Sequence, residues 1–128
     1  MGPQDLTNSA ITLLKQLIEN AFVKRIEAIV QNEVAKKVVD AIRKHEVGVT
    51  LIEALGKGEG ERPWIGGDKG HQIEFNTTDV IITVVDDDDV ETIVSTIMDS
   101  AYTGTRGDGM VFVTNVENVY DITTKSKV

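Results

Sequence analysis

Residues 80–101 read VIITVVDDDDVETIVSTIMDSA, and the change of period inside this stretch decides the fold. Val80, Ile81, Ile82, Val84 and Val85 form a nearly unbroken β-branched run, the composition of a well-covered strand. Ile73 and Phe75 precede it, so a strand is predicted over residues 73–85, interrupted by the turn-like Asn76, Thr77, Thr78 and Asp79. From Val90 the apolar positions become Val90, Ile93, Val94, Ile97, Met98 and Ala101, one stripe of an amphipathic helix. The four aspartates at 86–89 stand where that helix begins. Carboxylates are favoured there because they cap free N–H groups and meet the positive end of the helix dipole. A metal site is the sharper alternative, but the spacing of an EF-hand is absent.

Outward from this strand and helix, the same two periods recur. Phe22, Ile26, Ala28 and Val30 interleave with Lys24 and Glu27, predicting a strand over residues 22–30. Val34, Val38, Ala41 and Ile42 share a helical face over residues 33–45, with Gly48 as a stop signal, and the β-rich residues 49–55 return as a strand. Downstream, Val111, Phe112 and Val113 read as a short buried strand, and Val116, Val119, Tyr120 and Ile122 as a last edge segment. The order strand, helix, strand, strand, helix, strand is the split βαβ arrangement: an α+β, ferredoxin-like βαββαβ fold, an antiparallel sheet with both helices on one face. The other face then needs cover, which predicts a small homo-oligomer. Residues 6–20 place Ala10, Ile11, Leu14, Leu17 and Ile18 on one side of a further helix. Such a helix is marginal alone in water, so it docks on the domain or on a neighbouring subunit. The chain thus divides into an N-terminal helical extension at 1–20 and a domain at 21–128.

Composition narrows the chemistry. Thirteen Lys and Arg against 21 Asp and Glu give a formal charge of −8 over 128 residues, a field that disfavours nucleic acid and anionic lipid. The absence of cysteine excludes disulfides, thiolate zinc sites and cysteine nucleophiles. No apolar run approaches the roughly 20 residues needed to span a bilayer. The N-terminus, with Gln4, Asp5, Thr7 and Asn8, lacks the pattern of a secretory signal, so a cytoplasmic location is expected. Only two histidines are present, His45 late in a helix and His71 at a loop end, and neither stands in a catalytic constellation. An enzyme is disfavoured.

Two glycine-rich segments remain. Residues 56–71 contain Gly56, Gly58, Gly60, Gly66, Gly67, Gly70 and Pro63, predicting one long mobile loop of the kind that carries function. Residues 103–109, Thr-Gly-Thr-Arg-Gly-Asp-Gly, lie between helix and strand. Their consecutive backbone N–H groups can form an anion-holding nest, although a tight turn requiring glycine at positive φ accounts for the same letters.

These segments resemble the PII signalling protein family. The motif Thr-Gly, two variable residues, Gly-Asp-Gly stands at 103–109. Lys24-Arg25-Ile26-Glu27-Ala28-Ile29, Gly48-Val49-Thr50 leading to Gly56-Lys57-Gly58, the long loop, and Val84-Val85 with Asp87-Asp88 support it. The resemblance covers nearly everything after the first 20 residues. It implies a ferredoxin-like homotrimer that binds adenine nucleotide in clefts between subunits and is not an enzyme. The T-loop, here 57–72, would control a target such as a membrane transporter, an enzyme or a regulator. Carried over, Thr50 and Val84 would border the base, and Gly107, Asp108 and Gly109 would wrap the phosphates. Gly56, Lys57 and Gly58 would hinge the loop, and Arg106 and Lys57 would be the nearest cations.

The departures from the family pattern are equally informative. The phosphate-binding lysine after Gly-Asp-Gly is Met110, and two arginines of the late strand fall at Asp121 and Thr123. A lost charge-assisted contact costs about 1.5–3 kcal/mol, so ATP should be held less well than AMP, ADP or another small metabolite. The glutamine involved with magnesium and 2-oxoglutarate aligns with Gly60, and the lysine pairing with that dicarboxylate aligns near Thr78. Conventional Mg-ATP and 2-oxoglutarate sensing is therefore not expected. The loop holds no tyrosine for uridylylation and carries Trp64 after Pro63, which either anchors a partner or folds back onto its own subunit. A ligand-free structural or adaptor trimer of the same fold is the alternative reading.

Overall fold

The computed structural model describes residues 7–14, 23–58, 60, 62, 64–65 and 70–128. A short helix, α1 (7–14), precedes β1 (Val23–Gln31), α2 (Asn32–Arg43) and β2 (Thr50–Gly56). The two-residue strands β3 (Trp64–Ile65) and β4 (His71–Gln72) follow, then β5 (Asn76–Asp86), α3 (Val90–Ala101) and β6 (Gly109–Asn115). The chain closes with β7 (Tyr120–Asp121) and β8 (Ser126–Lys127). The main sheet has four strands in the order β2-β5-β1-β6, every neighbouring pair antiparallel. With α2 and α3 as its crossovers, this is the ferredoxin-like arrangement.

Alternation along the strands sends Ile26, Ala28 and Val30 of β1 and Ile81 and Val85 of β5 to one face. There they meet Ala35, Val38 and Ile42 of α2 and Ile93, Ile97 and Ala101 of α3. The helical residues recur at three and four, so each helix turns one stripe to the sheet. The other sheet face carries Ile29, Ile52, Val84, Met110 and Phe112, all exposed, and a half-buried ion pair in which Arg25 Nη1 donates to Glu27 Oε2 at 2.8 Å.

Several expectations need correction. Asn76, Thr77, Thr78 and Asp79 do not interrupt the strand; they begin β5. Thr78 Oγ1 donates to the Val30 carbonyl at 2.6 Å, and the buried Asp79 carboxylate accepts Asn32 Nδ2 at 3.3 and 3.4 Å. These polar side chains find partners on β1 and α2 instead of bending their own backbone. Strand β6 is not buried, because it is an edge strand, and Phe112 remains 46% exposed. The final segment adds no edge to the main sheet: β7 pairs with β8 as a separate hairpin. Asp87–Asp89 form a 3-10 turn, and neither Asp86 nor Asp89 makes a side-chain cap hydrogen bond. What the aspartate run offers α3 is charge at its positive end. The long loop contains structure, since β3 pairs with β4, Gln72 Nε2 donates to the Arg62 carbonyl at 3.0 Å and Arg62 Nη1 to the Glu74 carbonyl at 3.1 Å. Of the helix expected at 6–20, residues 7–14 are helical with Ile11, Leu13 and Leu14 exposed. Leu6, residues 15–20 and Phe22 lie outside the described residues.

Ile97→Ala removes a fully buried side chain between α3 and the sheet, and thermal or urea unfolding should show a loss of about 2–5 kcal/mol.

Candidate functional site

The register puts three connections at one end of the sheet. Val30 stands opposite Gly109, Gln31 opposite Thr78 and Gly56 opposite Asn76. The long loop between β2 and β5, the turn between α3 and β6, and the start of α2 therefore converge. The turn is built on glycines at positive φ: Gly104 at 81°, Gly107 at 90° and Gly109 at 130°. Gly109 is required twice over, because a Cβ there would lie 1.9 Å from the Ile29 carbonyl oxygen of the neighbouring strand.

Asp108 organises this turn. Its Oδ2 accepts the backbone N–H groups of Thr103 at 2.8 Å and Gly104 at 3.0 Å. Its Oδ1 accepts the Thr103 hydroxyl, the Thr105 hydroxyl at 3.2 Å and Gln31 Nε2 at 3.2 Å. The Thr105 N–H turns to Thr103 Oγ1 at 3.3 Å. The Thr103 hydroxyl first, then the Thr103 amide, with the Gly104 amide and the Thr105 hydroxyl adding to them, hold the Asp108 carboxyl below the ordinary aspartate value. The nest expected over residues 103–109 is corrected accordingly. The amides of its first half are aimed at a carboxylate of the same turn, which occupies the place of an external anion. The second half of the turn bonds toward β1: the Gly107 carbonyl accepts Gln31 Nε2 at 3.3 Å and Gly109 pairs with Val30.

The loop root lies against that segment. A Cβ on Gly60 would stand 3.3 Å from Asn76 Nδ2, 3.8 Å from Gly107 Cα and 3.9 Å from the Arg106 carbonyl oxygen. Gly56 ends β2, and its missing side chain admits Thr78 Cγ2, which would be 3.1 Å from a Cβ. Gly58 has open space around it. Lys57 Nζ sits 5.8 Å from the centroid of the Phe75 ring, so this cation stacks across the base of its own loop.

Thr50 and Val84 are placed elsewhere. Thr50 opens β2 opposite Ile82, and Val84 is exposed on the open sheet face. Five strand residues, about 17 Å, separate Val84 from Asp79, which lies level with the turn. One subunit thus joins Gly60, Arg106, Gly107, Asp108 and Gly109 at one end and leaves Thr50 and Val84 apart. Met110 is 65% exposed on the open face opposite Ile29, and Asp121 accepts the amides of Thr123 and Thr124 at 2.8 and 3.3 Å, closing the β7-β8 hairpin. Reading the sequence missed Gln31, whose signal was an amide ending an otherwise apolar-alternating strand, and missed Thr103 and Thr105 as partners of Asp108. Among the described residues no cluster of His, Cys, Asp or Glu suits a metal ion, and no helix is long and apolar enough to cross a membrane.

The family described as nitrogen regulatory protein P-II matches residues 23–126. A nitrogen fixation nifHD region GlnB-like protein 1 from Methanothermobacter marburgensis is 36% identical over 108 residues, covering 82% of this chain and 98% of that protein. A nitrogen regulatory protein P-II from Azospirillum brasilense is 33% identical over 117 residues, covering 82% and 96%. The crystal structure of Arabidopsis thaliana PII bound to citrate matches with a TM-score of 0.66 at 30% identity, covering 84% of this chain and 90% of that one.

Two outcomes follow from the turn. Gly109→Ala should destabilise the domain by about 2–4 kcal/mol in thermal unfolding, through strained φ and collision with β1. Because the Asp108 pKa is lowered by folding, its contribution is complete above the unfolded value of about 4 and is lost as pH falls through the lower folded value. Asp108→Ala should speed amide exchange at Thr103 and Gly104 at neutral pH and remove that acid dependence, as measured by NMR.

Proposed function

The chain belongs to the nitrogen regulatory protein P-II family, and from that premise we propose a homotrimeric signalling protein that binds an adenine nucleotide or related small anion between subunits. Occupancy is passed through loop 57–72 to a target protein, such as a membrane transporter or an enzyme. The observation that carries this reading is the proximity of the loop root at Gly60 to the glycine turn, where a Cβ would stand within 4 Å of Gly107 Cα and the Arg106 carbonyl oxygen. A ligand seated on the turn touches the loop directly, so the two loop states bind it unequally and a population shift results. Gly107, Asp108 and Gly109 are proposed to line the phosphate end with Arg106 as the neighbouring cation, and Thr50 and Val84 the base end. Since one subunit separates these two groups, a complete site draws on two subunits. Three such sites accompany a trimer closed over the open, apolar sheet face.

With Met110, Asp121 and Thr123 where cations would stand, AMP or ADP fits better than ATP, and Asp108 in the turn adds a further negative charge. Citrate bound to the plant relative widens the class to small carboxylate metabolites. The same missing cations support the second reading, an adaptor trimer without ligand.

Light scattering after size exclusion should give three times the 14.0 kDa chain mass; a monomer would sink the shared-site reading. Calorimetry with AMP, ADP and ATP should show heat for the first two, and silence toward all three, with no thermal shift from citrate, favours the adaptor. Met110→Lys should tighten ATP binding by about tenfold to a hundredfold, the worth of one charge-assisted contact.

A further inference from the structure

Gln31 occupies the N-cap position of α2, with φ −65° and ψ 141°, yet its side chain makes no cap hydrogen bond. Its amide crosses to the turn instead. Nε2 lies 3.3 Å from the Gly107 carbonyl oxygen, 3.2 Å from Asp108 Oδ1 and 3.5 Å from Thr105 Oγ1. Two of these partners can only accept, so the donating NH2 end must face them. The next residue, Asn32, also looks away from the helix: its amide donates to both oxygens of Asp79, which is 3% exposed at the start of β5. One residue earlier, the Val30 carbonyl accepts Thr78 Oγ1. Three consecutive residues, the last two of β1 and the first of α2, thus bond alternately to the strand that follows the long loop and to the glycine turn. Gln31 thus forgoes a cap hydrogen bond for this long-range one.

We propose that Gln31 is a positioning residue. It holds the Gly107 carbonyl and the Asp108 carboxylate in the shape that presents the turn to a ligand, and with Asn32 it ties that shape to β5, the strand that follows the loop. Gln31 does not touch the ligand; it acts through Asp108. The ligand part rests on the proposed function, whereas the structural part stands in the empty protein.

The test uses the full chain with Gln31→Leu, which keeps size but not the donor, and Gln31→Lys, which restores a donor to the same carboxylate. In the ligand-free protein, amide exchange at Thr103 and Gly104 should quicken about tenfold in Gln31→Leu, the ratio for one charge-assisted hydrogen bond, and return in Gln31→Lys. Exchange at Ile97 in the core should be alike in all three. Unchanged exchange in Gln31→Leu, or equal acceleration in both variants, overturns the proposal, because a packing role would not distinguish them. With ADP as probe, calorimetry should show affinity reduced about tenfold in Gln31→Leu and recovered in Gln31→Lys. The fluorescence of Trp64, the only tryptophan, should respond to ADP in the wild type and less in Gln31→Leu. A wild type silent to ADP in both measurements rejects the nucleotide reading, and the exchange comparison alone then decides the role of Gln31.

Discussion

The carboxylate of Asp108 is the anchor on which the candidate site depends. It gathers two backbone amides, two hydroxyls and one side-chain amide, drawn from the turn itself and from the end of β1. A turn carrying three glycines at positive φ has a high entropy when unfolded and few apolar contacts when folded. Hydrogen bonds to one charged acceptor restrict it without consuming apolar surface. The consequence is electrostatic as well as geometric. A turn whose first amides already face a negative charge attracts further anions less than an empty nest would, and that matches a chain lacking cations at 110, 121 and 123.

The same end of the sheet brings the turn, the loop root and the central strand together. Gly109 lets β6 approach β1 to within backbone contact, Gly56 admits Thr78, and Gly60 closes on Gly107. Each of these positions carries no side chain, and each lies at a junction between the turn, the loop root and the central strand. On the opposite flank, the exposed Ile29, Ile52, Val84, Met110 and Phe112 form a face that a lone subunit leaves wet. It is the face that the proposed trimer would cover.

Regular elements were the most legible part of the chain. The stripe from Val90 to Ala101 predicts α3 with its observed bounds, since apolar residues at three and four cannot face a core in any other conformation. The order of elements followed from the succession of periods. Errors arose where polar residues found distant partners. Thr78 and Asp79 look like turn formers, yet Val30 and Asn32 satisfy them and the strand runs on. The aspartates before α3 look like caps, yet they make no cap hydrogen bonds. Phe112 and Val113 look buried, yet an edge strand with an open face leaves them exposed. Within the site, the glycine turn was visible as a motif, whereas Gln31 was not.

What the sequence by itself determined is what depends on near neighbours in the chain: the helices and strands, the α+β class, the acidic charge, and a glycine turn after α3. These follow from periodicity, from backbone permissiveness and from simple counting. Only the tertiary structure decided that the turn is filled by its own carboxylate, that Gln31 holds it, and that Lys57 lies over Phe75 and the loop root rests on Gly107. Those contacts join residues up to 77 positions apart, and their geometry exists only once antiparallel register has brought the chain segments to one end of the sheet.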